Sequence, residues 1–424
     1  MRVSLLGIVR VLTGGAGRSA GSLVGPDAGR GTAQRVAGAA LAVALAAGLG
    51  AMPGVALAAG PGAAVTVRNP IGVARPSETV VLDAGQLRAL LPVDDVRKVH
   101  VRAEGSDKDL LVQAVDTNDD GKFEQFLFQA DFAPRETRVF LLTVGERQIA
   151  SAADYKTYGR FVRERRDDFA WENDRIAHRM YGKELETWLQ EPLTSSSVDV
   201  WTKRVRSLVI NNWYMVDDYH HEHGEGGDFY SAGKTRGDGG TGLWVDGKLY
   251  PSANFRDSRV YAVGPIRVLF ELTYEGWNAG GVRVSEKKRV SLDAGQNLDR
   301  FESSYTIEGS ASNLAHAVGI RKLSGTRMQA DKERGILRTW EPVKDEGELG
   351  QAVIVDPAVM KDLAEDDLNY LVLTKITAGA PCVSYSGFAS TPLGDFKTVA
   401  EWDRYLADFA ARVRAPVEVK VEKR

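Results

Sequence analysis

The segment Tyr219-His-His-Glu-His-Gly-Glu-Gly-Gly-Asp-Phe-Tyr230 gathers three of the chain's six histidines within four residues, beside Glu222, Glu225 and Asp228. Imidazole is the side chain whose ordinary titration falls near neutral pH, so His220 and His223 are candidate proton acceptors and Tyr230 or Tyr219 a candidate donor. Neighbouring acids would raise an imidazole pKa and select its tautomer, and the glycines let backbone approach a ligand closely. The same stretch has a second reading: His220, His223, Glu225 and Asp228 offer nitrogen and oxygen ligands to a metal, at a spacing that matches no zinc motif. A solvated loop without chemistry is the third.

Upstream, Trp171-Glu-Asn-Asp-Arg-Ile-Ala-His-Arg-Met-Tyr-Gly182 mixes rings with guanidinium groups. Read as a strand, its period of two aligns Trp171, Asn173, Arg175, Arg179 and Tyr181 on one face and leaves Ile176 and Met180 with Glu172, Asp174 and His178 on the other. In Asp199-Val-Trp-Thr-Lys-Arg204 the same rule aligns Asp199, Trp201 and Lys203. Flat apolar sugar faces lie on indole and phenol rings, and guanidinium forks grip carboxylate or sulfate, so these segments are candidate walls for an acidic saccharide. A surface strand whose arginines pair with nearby acids is the competing reading. Gly233-Lys-Thr-Arg-Gly-Asp-Gly-Gly240 lacks the phosphate-loop spacing and reads as a loop.

A third constellation is Asp116-Thr-Asn-Asp-Asp-Gly-Lys-Phe-Glu124. Oxygen-bearing side chains at Asp116, Asn118, Asp120 and Glu124, with Gly121 at the turn, suit a short calcium loop. An EF-hand is excluded, because its twelfth position is Leu127. An Asx-rich hairpin turn without metal fits the same residues. No Gly-x-Ser-x-Gly elbow, dinucleotide fingerprint or His-Glu-x-x-His helix occurs. The single cysteine, Cys382, rules out an intramolecular disulfide and a thiolate zinc cluster.

These residues must be positioned by β structure. Residues 64–150 show short alternating runs at Thr79–Leu82, Val99–Ala103, Leu110–Val115, Phe126–Phe128 and Val139–Val144, punctuated by turn clusters, which predicts a small N-terminal β-sandwich-like unit. From residue 151 onward the alternations lengthen: Ile266, Val268, Phe270, Leu272 and Tyr274 share one face, as do Phe301, Ser303, Tyr305 and Ile307. The expectation is a mainly β protein whose larger sandwich, 151–424, carries the chemistry. One helix is predicted near the end, where Thr398 with Glu401 forms a capping box and Trp402, Tyr405, Leu406, Phe409 and Val413 fall on one face before Pro416.

The 424 residues, 43% hydrophobic and 26% charged, fit a globular protein with a large core. A formal charge of −3 argues against a nucleic-acid partner, which needs a strong positive field. Residues 1–58 read as an export signal: Arg10, Arg18, Arg30 and Arg35 precede an acid-poor apolar run, Val36–Leu49, then Pro53 and Ala56-Leu57-Ala58. Cleavage near Ala58 removes five arginines and one aspartate and leaves a charge of −7 on a periplasmic or secreted protein. A retained membrane anchor is the competing reading of this segment, and no stable anchor is expected.

The combination of Trp171-Glu-Asn-Asp-Arg-Ile-Ala, Tyr181-Gly182, Asp199-Val-Trp201 with Lys203-Arg204, Tyr219-His220 through His223-Gly-Glu-Gly, and Asp228-Phe-Tyr230 resembles the exported bacterial family DUF4861. The Asp116–Glu124 loop and Phe128-Gln-Ala-Asp-Phe-Ala-Pro134 resemble it too. That resemblance implies a galactose-mutarotase-like β-sandwich, a place in polysaccharide breakdown, and, for some relatives, dehydratase or lyase activity on uronic-acid sugars. The family pattern often has an acid at the position of His221, which puts the weight on His220 and His223.

The resulting expectation is an enzyme that forms a 4,5-unsaturated uronic acid by β-elimination on an acidic oligosaccharide. The reaction needs carboxylate neutralisation, abstraction of the C5 proton and protonation of the leaving oxygen. Arg175, Arg179 and Lys203 are candidates for the first, with Asn173 as a further donor, His220 or His223 for the second, and Tyr230 for the third. Trp171, Tyr181 and Trp201 would line the sugar. A divalent cation could replace one arginine. The alternatives are a glycoside hydrolase using a carboxylate pair from Glu172, Asp174, Glu225 and Asp228, and a noncatalytic glycan-binding module.

Overall fold

A computed structural model describes residues 62–189, 193–309, 313–344 and 346–424. The export-signal segment lies outside the described residues. The described chain forms one compact unit of antiparallel sheets with three α-helices. None of its helices is long and apolar enough to cross a membrane.

The N-terminal alternations build a sandwich of a four-stranded and a three-stranded sheet. In Arg75–Asp83, Val80 and Leu82 point inward while Val81 is exposed. Phe126 and Phe128 of the next strand, Gln125–Phe132, meet Phe140 and Leu142 across the core. Burying each such side chain contributes about 1.5–3 kcal/mol. The last strand, Glu418–Lys423, returns to pair with Ala63–Arg68, Val421 opposite Val65. This small sandwich therefore draws on both ends of the described chain.

The larger part holds an eight-stranded sheet running from the edge strand Asp257–Ala262 to Arg327–Asp331, and two five-stranded sheets. Val268, Phe270, Leu272 and Tyr274 face one core together, as their alternation predicts. The C-terminal helix Val399–Arg414 starts at the predicted capping box, Thr398 accepting from the Glu401 amide at 3.3 Å and Glu401 from the Thr398 amide at 3.2 Å. Trp402, Leu406 and Phe409 pack against Trp340 on the back of the eight-stranded sheet. Gly350 permits that contact, since a Cβ there would lie 2.5 Å from the Trp340 ring.

The five-stranded sheet in the order 226–227, 199–203, 177–180, 168–173, 157–162 positions the candidate residues. Here the structure corrects the reading of Trp171–Tyr181 as one strand. Asn173 accepts from the amides of Arg175 (2.8 Å) and Ile176 (2.9 Å), an Asx turn that folds the segment into the hairpin Asp168–Asn173 and Ala177–Met180. Trp171 then pairs with His178, and Arg179 with Ala170 and Asp199. Directly opposed residues share a face, so Trp171 and Arg179 lie on opposite sides of the sheet.

Candidate functional site

Neither face of this hairpin sheet is an open wall. Trp171 packs against Phe270 in the main core, its indole donating to Asp299 at 2.7 Å, and Asn173 donates to the carbonyls of Asp293 and Gln296. Trp201, on the other face, is covered by Trp213 and Tyr214 of the helix Ile210–Val216 and by Tyr219. Lys203 is wholly buried, its ammonium 2.8 Å from Glu172 and 2.7 Å from the Asn173 carbonyl. Glu172 also accepts from the amides of Val209 and Ile210, which puts a carboxylate at that helix's N-terminus. Arg175 bonds Asn297 at 3.0 Å and approaches Asp395. Trp171, Asn173, Arg175 and Lys203 are thus structural, their polar groups turned toward internal partners, and Trp201 is buried among aromatic rings.

A cleft of about 340 Å³ does bring four predicted residues together: Arg179, Tyr181, His220 and Tyr230 line it with Asp199 and Asp228. Its floor is the Arg179 guanidinium, which donates to Asp199 (2.8 Å), Asp228 (2.8 Å) and Asp168 (3.4 Å). Those carboxylates hold its pKa well above the ordinary arginine value against the opposing effect of burial. With its fork engaged by protein acids, Arg179 orients the site and does not present a free clamp. Tyr181 donates to the same oxygen of Asp199 at 2.7 Å. Burial pushes the Asp168 carboxyl up to about 7 despite Arg179 and Arg165.

The loop after the helix Ile210–Val216 brings His220 to the cleft mouth. Gly226 and Gly227 pair with Lys203 and Thr202, and Gly226, at φ +105°, sits where a Cβ would come 2.1 Å from the Thr202 carbonyl. The Asp228 amide donates to the Tyr219 carbonyl at 2.8 Å, closing the loop base. His220 is about half exposed, its Nδ1 3.2 Å from the Asp228 carbonyl and 3.7 Å from the Asp228 carboxylate. Since Nδ1 faces only acceptors there, it carries the proton in the neutral ring and leaves Nε2 as the free base. Tyr230 stands on the same cleft, its oxygen accepting from Gln351 at 3.1 Å and its ring 3.4 Å from the Arg321 guanidinium carbon. Burial raises the phenol pKa well above its usual value against the opposing Arg321 charge, so the hydroxyl keeps its proton. The amides of Ser231, Ala232 and Gly233 border the cleft and donate to no group among the described residues.

His223 lies elsewhere: it bonds Asp218 at 3.0 Å, as His221 does at 2.5 Å, beside a small apolar hollow with Trp213 and Val216. Glu225 accepts from the Trp213 indole at 3.1 Å. The four residues read as a second metal site therefore do not converge, whereas Asp116, Asp120 and Glu124 do, with one oxygen of each within 4.8 Å of the others. Asn118 is turned to the Asp120 amide, and Asp116 accepts from the amides of Asn118, Asp119 and Gly121. Of the four carboxylates offered for a hydrolase pair, Glu172 is buried on Lys203, Asp174 accepts from the Gly295 amide and Glu225 from the Trp213 indole, while Asp228 reaches the cleft. The pair of carboxylates on the cleft is Asp199 and Asp228. Sequence reading placed Asp199 on a candidate wall with Trp201 and Lys203 without giving it a role, and it missed Gln351 and Arg321, which reach Tyr230 from other strands with no motif of their own.

Behind the cleft lies a buried cluster. His178 Nδ1 is 3.0 Å from the Asp199 carbonyl, its Nε2 3.1 Å from Asp299 and 4.0 Å from Asp238. Nδ1 must donate to a carbonyl, which leaves Nε2 facing the Asp299 carboxylate. Asp299 and Asp238 raise the imidazole pKa against burial, and burial pushes Asp238 up to about 7.

Fold and cleft together define an antiparallel β-sandwich protein with a half-exposed histidine beside an aspartate at the mouth of a polar cleft. The chain belongs to the family described as Domain of unknown function (DUF4861), whose profile matches residues 67–419. It is 30% identical over 372 residues to the uncharacterized protein P7 of Formosa agariphila, covering 84% of this chain and 93% of that one. Among solved structures it is similar to a protein in glycosyl hydrolase family 38 from Enterococcus faecalis, with a TM-score of 0.50 and 9% identity, over 85% of this chain and 47% of that one. An α-mannosidase from Enterococcus faecalis V583 superposes with a TM-score of 0.49 and 9% identity, over 85% and 46%. The chain spans about half the length of these two proteins, and the first likeness is one of fold.

Proposed function

We propose that this protein is an exported carbohydrate-active enzyme that works by proton transfer in the Arg179–His220–Tyr230 cleft, forming a 4,5-unsaturated uronic acid by β-elimination. The observation that carries the reading is that one cleft holds a half-exposed imidazole backed by Asp228 and a phenol kept protonated by its surroundings. His220 Nε2 takes the C5 proton; the electron pair forms the C4–C5 double bond as the C4–O bond breaks; Tyr230 protonates the departing oxygen. Loss of water is the dehydratase outcome and loss of a sugar chain the lyase outcome. Arg175, Arg179 and Lys203 are engaged internally, so the substrate carboxylate falls to the unspent amides of Ser231–Gly233.

One observation favours a second reading: Asp199 and Asp228 both face the cleft, as a hydrolase's two carboxylates would. Incubation with uronic-acid oligosaccharides separates the two. Elimination gives a product absorbing near the far-ultraviolet edge, with a mass loss of one water for dehydration. Hydrolysis gives new reducing ends without that absorbance. Intact substrates across ulvan, alginate, pectin and glycosaminoglycan fragments would leave a noncatalytic glycan-binding module.

A further inference from the structure

The groups that surround the Tyr230 phenol come from strands remote from it in sequence. Arg321 ends the strand Ala315–Arg321 and is 4% exposed. In the plane of its guanidinium, Nε donates to Glu341 of the strand Ile336–Val343 at 3.0 Å, Nη2 donates to the same oxygen, and Nη1 donates to the Ser231 carbonyl at 2.9 Å. The Thr326 hydroxyl holds the other Glu341 oxygen at 2.9 Å. These bonds use the edge of the fork and leave its flat face, which covers the Tyr230 ring with the guanidinium carbon 3.4 Å from the ring centre. At the phenol oxygen stands Gln351 of the strand Gly347–Ile354, its side-chain nitrogen 3.1 Å from that oxygen and 3.5 Å from the Gly237 carbonyl. A nitrogen between two oxygens donates to both, so the phenol oxygen accepts from Gln351 and its own proton is left for a group in the cleft.

We propose that Arg321 is a positioning residue for the elimination, which keeps Tyr230 in service as the general acid by stabilising the phenolate that proton donation creates. This role rests on the elimination reading of the cleft. As the phenol O–H bond breaks, the proton goes to the departing C4 oxygen and the electron pair stays on the phenolate, spreading into the ring. A cation against the ring face interacts more strongly with that anion than with the neutral phenol, so the contact favours the transition state over the bound substrate. Burial opposes ionisation of the phenol; of the surrounding charges Arg321 acts most strongly and favours it, against Asp238, Glu341 and Asp199. Between turnovers solvent returns a proton to Tyr230 and takes one from His220, which restores both groups.

The test compares wild type with Arg321→Lys and with Arg321→Met/Glu341→Gln, which removes the buried cation together with its counter-charge so that neither is left unpaired. Each is assayed on a uronic-acid oligosaccharide that the wild type eliminates, and on a uronoside carrying fluorine at C4, since fluoride departs without a proton. The expected result on the oligosaccharide is a kcat about 30-fold lower in the double variant, with KM within about threefold of wild type and a smaller loss in Arg321→Lys. On the fluoride most of that loss should be recovered, because the acid is no longer needed. A double variant with wild-type kcat on the oligosaccharide would overturn the role of Arg321 and leave the elimination reading standing. An equal loss on both substrates would do the same, since a distorted cleft slows every leaving group alike. If the double variant does not fold in a circular-dichroism melt, Arg321→Lys decides by the same ratio of the two substrates. No elimination of either substrate by the wild type would overturn the reading of the cleft and, with no phenolate formed, the role of Arg321 as well.

Discussion

At the residue scale the reading depends on two side chains with different neighbours. His220→Ala removes the base, and turnover should fall by about 100-fold or more. The urea midpoint should stay unchanged, because the ring is 54% exposed and buries little surface. His223→Ala should leave turnover close to wild type, since His223 pairs with Asp218 outside the cleft. Steady-state kinetics of the two variants distinguish a single catalytic histidine from a cooperating pair, and equal loss in both would overturn this assignment. Tyr230→Phe should lower kcat more than KM, because the hydroxyl acts on the leaving oxygen. Its folding cost should be about 1 kcal/mol, the net worth of the lost Gln351 bond. Three cleft residues were legible from sequence for a chemical reason: histidine is scarce in this chain, and His220, Asp228 and Tyr230 fall on one short loop. Gln351 and Arg321 carried no such signal. Each is an ordinary strand residue until the sheets bring it to the cleft.

At the element scale, alternation found most strands but could not foresee where a strand turns back. Asn173 sits mid-segment between Glu172 and Asp174, inside an alternation that runs on to Tyr181, and its side-chain acceptance from two amides reveals the hairpin. The short helix Ile210–Val216 was also invisible to periodicity, having seven residues and no side-chain cap from its own sequence. Its N-terminus is completed by Glu172, 38 residues upstream of Ile210. Glu172→Gln keeps the shape but leaves the buried Lys203 ammonium without its counter-charge. The expected cost is about 3–5 kcal/mol in urea denaturation, with an unchanged m-value. Glu172→Gln/Lys203→Met should recover part of that loss, because it removes the buried ammonium that the first substitution leaves without a counter-charge. A cost below about 1 kcal/mol would mean the pair does not organise the helix. For the Asp116–Glu124 loop, calcium should raise Tm and EDTA should not lower the Tm of calcium-free protein. Asp120→Asn should abolish the rise if the three convergent carboxylates hold the ion.

At the scale of the whole molecule, the sandwich interior is unusually ionic, and that makes stability depend on pH. Asp168 and Asp238 titrate at about 7 in the fold, against ordinary values of 3.8. A carboxyl raised by folding stabilises fully below its unfolded pKa, and that contribution is lost as pH rises through the folded value. His178 works in the same direction: its pKa is raised above 6.5, so its contribution is complete below that value and lost as pH climbs through the raised one. The carboxyls lowered by folding, such as Asp95 and Asp218, titrate below their usual 3.8 and do not enter this window. The two carboxyls therefore predict a Tm that falls between about pH 4 and pH 7, and His178 continues the fall above pH 6.5. Asp238→Asn removes one titrating group without adding a charge, so its Tm should vary less steeply over the same range. Scanning calorimetry of both proteins at matched ionic strength checks this, and a wild-type Tm that rises across the window would mean that the acids beneath the cleft are ionised throughout. The same measurement bears on the cleft, because Arg179 ties Asp168 to the two carboxylates at its surface, so a proton gained or lost at Asp168 changes the charge of the floor on which the substrate rests.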